Sequence, residues 1–182
     1  MAARRNQLPP WHERLVLANG REVLIRPIRP DDAEPLRAGF PLLTPDAVRH
    51  RFLHAIRDLS PEMAYELTHP DPKTQFALVA AEPLPPGEAL VGAVARASID
   101  PGTRNAEFAI LVSQYVAGMG LGRRLMSRLV RWAKAKRLDR LYGDVLESNQ
   151  PMLALADSLG FVREPGDAPG IVRVILDLKK PG

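Results

Sequence analysis

Val112-Ser113-Gln114-Tyr115-Val116-Ala117-Gly118-Met119-Gly120-Leu121-Gly122-Arg123-Arg124-Leu125-Met126 is the stretch on which the fold turns. Three glycines, Gly118, Gly120 and Gly122, alternate between an apolar run and a long amphipathic pattern. Glycine has no Cβ, so the backbone turns sharply there and its N–H groups can approach an anion. A helix starting at this point adds unpaired N–H donors and the positive end of its dipole. The pattern supports that helix: Leu121, Leu125, Leu129, Trp132 and Ala133 form one stripe as far as about Lys136, while Arg123, Arg124, Arg128, Arg131 and Lys134 project elsewhere. On these residues alone a nucleotide site, a dinucleotide site and an empty turn all remain open. The Walker pattern is absent, because no Gly-Lys-Ser/Thr follows the glycines. A dinucleotide fold would set the glycines after the first strand of a parallel unit.

Here several strands precede them. Residues 21–26 read as a strand ended by Pro27, and Pro30-Asp31-Asp32 opens a helix with an Asp cap and apolar Ala33, Leu36 and Phe40. Thr44-Pro45-Asp46 and Ser60-Pro61-Glu62 place a hydroxyl cap before proline, predicting helices over 45–54 and 61–68. Strands over 75–81, 90–97 and 106–112 follow, the first two joined as a hairpin through Pro83-Leu84-Pro85-Pro86-Gly87. After the glycine-led helix come a strand at 140–146, a helix at 149–159 ended by Gly160, and an alternating strand at 172–178, with one further short strand at 161–163. The order predicts an α/β domain, an α+β mixed sheet that is mainly antiparallel in its first half and not doubly wound.

At 182 residues the chain suits one domain over 15–180 behind an N-terminal tail of residues 1–14. Hydrophobic residues are 46% and charged ones 25%, the balance of a globular protein. No apolar run approaches the roughly 20 residues of a membrane span, and the start of the chain has no apolar signal core; we expect no membrane association and a cytoplasmic location. The absence of cysteine excludes thiolate ligands and a covalent cysteine intermediate. A net charge of +4 suits an anionic ligand but is too small to argue for nucleic acid, which is not expected as a partner. His12, His50, His54 and His69 are scattered, and the His50/His54 pair lacks a neighbouring acid, so no metal site is expected. Trp11 and Trp132 read as packing residues.

Ala117-Gly118-Met119-Gly120-Leu121-Gly122-Arg123-Arg124-Leu125-Met126 resembles the coenzyme A pyrophosphate loop of the GNAT superfamily of N-acetyltransferases. Asn149-Gln150-Pro151-Met152-Leu153-Ala154-Leu155-Ala156 with Leu159-Gly160-Phe161 resembles the second GNAT signature, and Leu24 to Ala33 looks like the family's opening strand and helix. Within the superfamily, Gly143 to Asn149, Ala106-Glu107-Phe108-Ala109 and Leu59-Ser60-Pro61-Glu62 are similar to the acetyltransferase domain of Pat-type protein lysine acetyltransferases. The resemblance covers about residues 15–178. It implies the GNAT fold, a mostly antiparallel twisted sheet flanked by helices. It also implies acetyl-CoA as co-substrate and an amine acceptor, preferably a protein lysine, with acyl-CoA synthetases as the natural target. A small amine or protein N-terminus as acceptor, and an inactive acyl-CoA-binding sensor, are the alternatives. Oligomeric state is not legible.

Glu107 is the candidate general base. It stands alone in an apolar strand, sharing one face with Ala109 and Leu111, where desolvation raises a carboxyl pKa; Pat-type enzymes carry their base at the matching position. The resemblance implies that Leu111 and Val112 pair with the pantetheine through their backbones. It places the pyrophosphate on N–H groups of Ala117, Gly118, Met119, Gly120, Leu121, Gly122 and Arg123, with Asn149 as a side-chain ligand. Arg123 or Arg124 is a candidate phosphate contact; Asn149 is equally a plain helix cap. Two positions depart from the family pattern: Ala117 replaces a usual Gln or Arg, and Ala156 replaces the tyrosine that protonates the leaving thiolate in many members. Tyr142 and Ser158 are the substitutes in reach, although a thiol, which ordinarily ionises near pH ~8.5, can leave without an acid.

Overall fold

The apolar runs become the strands of one eight-stranded sheet in a computed structural model that describes residues 12–52, 58–113 and 116–179, except the side chains of His50 and Phe52. The strands are β1 (Glu13–Val16), β2 (Glu22–Pro27), β3 (Gln75–Ala81), β4 (Val91–Ile99), β5 (Asn105–Val112), β6 (Arg140–Leu146), β7 (Val162–Pro165) and β8 (Ile171–Asp177). Their order across the sheet is β1-β2-β3-β4-β5-β6-β8-β7. Among these neighbours only β5 and β6 run parallel. The helices are α1 (Ala33–Gly39), α2 (Pro45–Phe52), α3 (Pro61–Thr68), α4 (Leu121–Ala135) and α5 (Gln150–Ser158).

Alternation in the strands divides the core between two faces. On one face, Ala106, Phe108 and Ile110 of β5 pack with Leu121, Leu125, Met126, Leu129 and Trp132 of α4 and with Leu153 and Ala156 of α5. Trp132 stacks on Phe76 at 5.8 Å between ring centroids, so it is a packing residue. On the other face, Ala77, Val79 and Val94 meet Leu36 of α1, beside a smaller cluster of Phe40, Val48, Leu59 and Ala64 that joins α1, α2 and α3. The alanines of β3 and β4 leave room for helices on both sides. No helix among the described residues is long and apolar enough to cross a membrane.

The strands and helices follow the sequence-based expectations closely, and the departures have local causes. β1 is not among those expectations: Glu13–Val16 is only four residues and alternates weakly, but Glu13 is held by Arg124 and Arg128 of α4. The sheet therefore begins within the stretch expected as tail; residues 1–11, with Trp11, lie outside the described residues, as do residues 53–57 with His54. The helix expected from Pro30 opens instead as a 3-10 turn (Pro30–Asp32) before α1. Asp32 does not cap α1. Its wholly buried carboxylate takes both Nη atoms of the equally buried Arg26, at 2.8 and 2.7 Å, and the backbone N–H of Arg29 at 2.8 Å. Ser60 does cap α3, accepting from the Met63 N–H at 3.1 Å.

Candidate active site

β5 and β6 share only three rungs, Asn105 with Arg140, Ala106 with Leu141 and Glu107 with Tyr142. Beyond that point β5 continues to Val112 and β6 to Leu146 without pairing. Each strand has its outer neighbour, β4 or β8, so the two inner edges open as a wedge in the middle of the sheet. Gly143 stands just past the last rung, and a Cβ there would lie 2.6 Å from ring atoms of Phe108. Phe108 in turn meets Phe161 edge-on at 5.6 Å. Filling the wedge's apex with this ring requires glycine on β6. Gly143→Ala is therefore expected to destabilise the protein by about 1–3 kcal/mol through overpacking, read as a lower urea midpoint at unchanged m.

The phase of the β4–β5 ladder decides which backbone groups face the wedge. Ser113 N–H bonds Gly92 O at 2.9 Å and Asp100 N–H bonds Asn105 O at 2.9 Å. With the register unbroken between them, Glu107, Ala109 and Leu111 direct their N–H and C=O groups to β4, and Phe108, Ile110 and Val112 direct theirs to the wedge. Val112, one of the two residues expected to face a ligand through the backbone, turns its main-chain groups to the wedge. Leu111, the other, does not: its main-chain groups belong to the ladder with β4, and Ile110 is the next residue whose backbone faces the wedge.

At the wide end of the wedge, Gly118 and Gly120 adopt positive φ (77° and 78°), and Gly120 is the left-handed N-cap of α4. No side chain caps this helix and no acid sits in its first turn. Its leading N–H groups are thus offered to an external anion. Ala117, Gly118 and Gly120 are exposed and Met119 and Gly122 half-buried, whereas the Leu121 side chain belongs to the core, so Leu121 can offer only its backbone. Gln114 and Tyr115 lie outside the described residues. Arg123 donates to Ser158 Oγ at 2.7 Å, and Ser158 donates to Leu155 O at 2.7 Å, an anchoring arrangement that commits the Ser158 proton. Arg124 is paired with Glu13. Asn149 caps α5, its Oδ1 accepting from Met152 N–H at 3.4 Å, which leaves the donor end of the amide for a ligand. Ala156 is wholly buried and carries no proton to give.

Glu107 stands at the apex on the face opposite α4 and exposed to solvent. Even so, burial by its neighbours pushes its carboxyl above the ordinary carboxylate value, and the Asp144 and Asp100 carboxylates push the same way; the Tyr142 hydroxyl and the Arg173 guanidinium partly oppose them. Tyr142 donates to Asp100 Oδ2 at 2.6 Å, and its oxygen lies 3.4 Å from Glu107 Oε2. Burial and the Asp100 hydrogen bond make this phenol harder to ionise than an ordinary tyrosine, so it is poorly suited to protonating a thiolate. Arg173 forks onto Asp144 at 3.0 and 3.1 Å and lies 4.9 Å over the Tyr142 ring. On the helical side, burial and then the Arg96 charge pull the Arg51 guanidinium of α2 below its ordinary value, partly opposed by Glu107; burial does the same to Arg96, partly opposed by Glu66 of α3. Sequence reasoning missed Asp100, Asp144, Arg173 and Arg51; for Asp144 and Arg173 the local signal was a charge inside an otherwise apolar strand, whereas Asp100 follows the end of β4 and Arg51 lies on α2, where a charge is ordinary.

Comparison with known proteins agrees with this geometry. The Acetyltransferase (GNAT) family model matches residues 44–161. Acetyltransferase PA5475 of Pseudomonas aeruginosa is 30% identical over 158 residues, which span 86% of this chain and 84% of that protein. The GNAT domain of S. lividans PAT superposes with a TM-score of 0.80 at 24% identity, covering 94% of this chain and 99% of that one. The cAMP-binding acyltransferase from Mycobacterium smegmatis gives a TM-score of 0.61 at 23% identity over 93% of this chain, which corresponds to 48% of the larger protein. The last two are likenesses of fold.

Proposed function

Starting from the fact that the chain belongs to the acetyltransferase (GNAT) family, we propose that it moves the acetyl group of acetyl-CoA directly onto an amine, preferably the ε-amino group of a protein lysine. The observation that carries the proposal is the position of Glu107, whose raised carboxyl stands where the β5–β6 ladder ends and the wedge begins. The wedge offers a row of unpaired N–H and C=O groups to a ligand with amides, and the uncapped N-terminus of α4 offers donors to its pyrophosphate. Acetyl-CoA carries both groups. The residues assigned to it are Ile110 and Val112 along the wedge, the N–H groups from Ala117 to Arg123, and the Asn149 amide.

Glu107 takes the proton that an ammonium must lose before its nitrogen can attack. As the C–N bond forms, a wedge-facing N–H of β5 stabilises the charge developing on the acyl oxygen. The C–S bond then breaks, the nitrogen's remaining surplus proton passes to the departing thiolate or to water, and no dedicated acid takes part. The preference for lysine rests on the likeness of Ala106–Ala109 and Gly143–Asn149 to Pat-type enzymes and on the carboxylates of Asp100 and Asp144 beside Glu107, which would receive a cation. On the same likeness an acyl-CoA synthetase is the first protein to try. The acceptor would enter over α2, α3 and the 164–170 loop.

The test is mass spectrometry of a proteome incubated with the purified protein and acetyl-CoA, with small amines assayed in parallel. New acetyl-lysines at high occupancy support the proposal. Acetylation confined to N-termini or small amines overturns the lysine preference. Tight acetyl-CoA binding with no product on any amine would identify a sensor. For the phosphate loop, Gly120→Ala meets no atom within 4 Å but forces a Cβ into left-handed backbone at a cost of about 1–2 kcal/mol. Calorimetry is expected to show roughly tenfold weaker coenzyme A binding in this variant.

A further inference from the structure

The face of the sheet that carries Glu107 continues away from it into a second set of polar side chains. Gln75 of β3 lies opposite Ser98 of β4, and Ser98 lies opposite Glu107, so the three form one row. Arg96 stands two residues before Ser98 on that face, a diagonal neighbour of Glu107, which sets their backbones about 7–8 Å apart. Here the sheet and α3 enclose a cavity of about 310 Å³, lined in part by Tyr65, Glu66, His69, Gln75 and Arg96. Two of its walls are fixed in place. His69 Nδ1 lies 2.8 Å from the Tyr65 carbonyl, and its ring stacks on Tyr65 at 3.8 Å. The Gln75 amide accepts from Asp71 N–H at 2.9 Å and donates to Ser98 Oγ at 3.4 Å. Arg96 is different. Its guanidinium is half-buried, and no hydrogen bond or ion pair engages it among the described residues. Burial pulls it below its ordinary value, and the Glu66 carboxylate on the exposed rim only partly offsets this. Arg51 of α2 brings a second positive charge close by.

Charge is thus divided across Glu107. Asp100 and Asp144 lie on the side of Tyr142, with Arg173 tied to Asp144, and Arg96 and Arg51 lie on the side of β4 and α2. A half-dry guanidinium gains most from a partner that forks onto it, and a carboxylate has that shape and charge. We propose that the Arg96 cavity is an acceptor subsite for a carboxylate flanking the reacting amine, supplied by an Asp or Glu two positions from the lysine. In an extended segment, residues two apart point to the same face at roughly 7 Å from one another, which matches the spacing of Glu107 and Arg96. The proposal rests on the reading of this chain as a lysine acetyltransferase. The α-carboxylate of a free amino acid has the same chemistry, and the test separates the two sources.

The test measures acetyl transfer to short peptides blocked at both ends, each with a single lysine and with Glu, Gln or Arg two residues from it, beside free lysine. Wild type should take the Glu peptide with an acceptor KM about tenfold below that of the Gln peptide at similar kcat, and the Arg peptide with a KM above both. Arg96→Gln should abolish that difference, and Arg96→Glu should reverse it in favour of the Arg peptide, with KM for acetyl-CoA as in wild type. A general loss of structure would not produce a reversal. The wild-type panel needs no variant, so a folding defect at Arg96 leaves the proposal open to refutation. Equal KM for the three peptides, all of them acetylated, overturns the subsite and leaves the lysine reading standing. Free lysine preferred over every peptide, with the preference lost in Arg96→Gln, overturns the side-chain source in favour of an α-carboxylate. No acetylation of any peptide overturns the lysine reading and the subsite together.

Discussion

Glu107→Gln is expected to lower kcat for acetyl transfer by about 10²–10⁴-fold without changing acetyl-CoA affinity. The amide keeps the shape and loses the ability to accept a proton. It leaves intact the wedge-facing backbone of Phe108, Ile110 and Val112 and the uncapped α4 N-terminus, so the effect should fall on kcat. The pH dependence has a definite sign. Only the ionised carboxylate is a base, and its pKa is raised above the ordinary value of 4.5, so wild-type activity should rise with pH through a midpoint above 4.5. That limb should vanish in the variant. Stability should move the opposite way. A carboxyl whose pKa is raised by folding favours the fold while protonated, and this contribution is lost as pH rises past the folded value. At neutral pH the ionised Glu107 therefore opposes folding, and Glu107→Gln should melt no lower than wild type in a thermal scan.

Asp32→Ala is expected to cost about 3–5 kcal/mol of stability, because it leaves the Arg26 guanidinium buried without its counter-charge. For a domain of this size that corresponds to a fall in Tm of about 10 °C or more. Arg26 would retain a single 3.2 Å bond to the Pro27 carbonyl, and its Nε already has no partner. The Arg29 N–H would lose its acceptor as well. The exposed pair Arg49–Asp46 provides the control: Asp46→Ala should change stability by under about 1 kcal/mol. Equal losses in the two variants, measured by urea unfolding, would show that the buried pair does not tie β2 to the 3-10 turn.

The contrast between these carboxylates shows what a linear reading can recover. Strand 140–146 was legible because its apolar residues alternate as in a half-buried strand, strand 75–81 because its unbroken apolar run suits a strand covered on both faces, and the ends of α4 and α5 because Gly120 and Gly160 punctuate them. Glu107 was legible because a lone acid in an apolar strand needs a reason. The wedge beside it was not, since the end of the β5–β6 ladder at Glu107 and Tyr142 depends on β6 pairing with β8 in turn. The family resemblance gave Leu111 a ligand-facing backbone, and alternation could not check it, because alternation says which face a side chain occupies but not which edge its amide faces; one hydrogen bond, Ser113 to Gly92, decides that. Asp32 looked like a cap from its place before α1, and its partner six residues upstream emerges only when β2 and the 3-10 turn meet. Asp100 and Tyr142 are 42 residues apart and come together across strands.

Direct, Glu107-assisted transfer from acetyl-CoA to an amine requires that thiol release and acetylation be stoichiometric. Purified protein, acetyl-CoA and a lysine tripeptide are mixed, free coenzyme A is followed with a thiol reagent, and the acetylated peptide is counted by mass. One acetyl-lysine per thiol released, no release without the amine, and release slowed about a hundredfold or more in Glu107→Gln are expected. Thiol release without an amine, or equal turnover by wild type and Glu107→Gln, would contradict direct, base-assisted transfer.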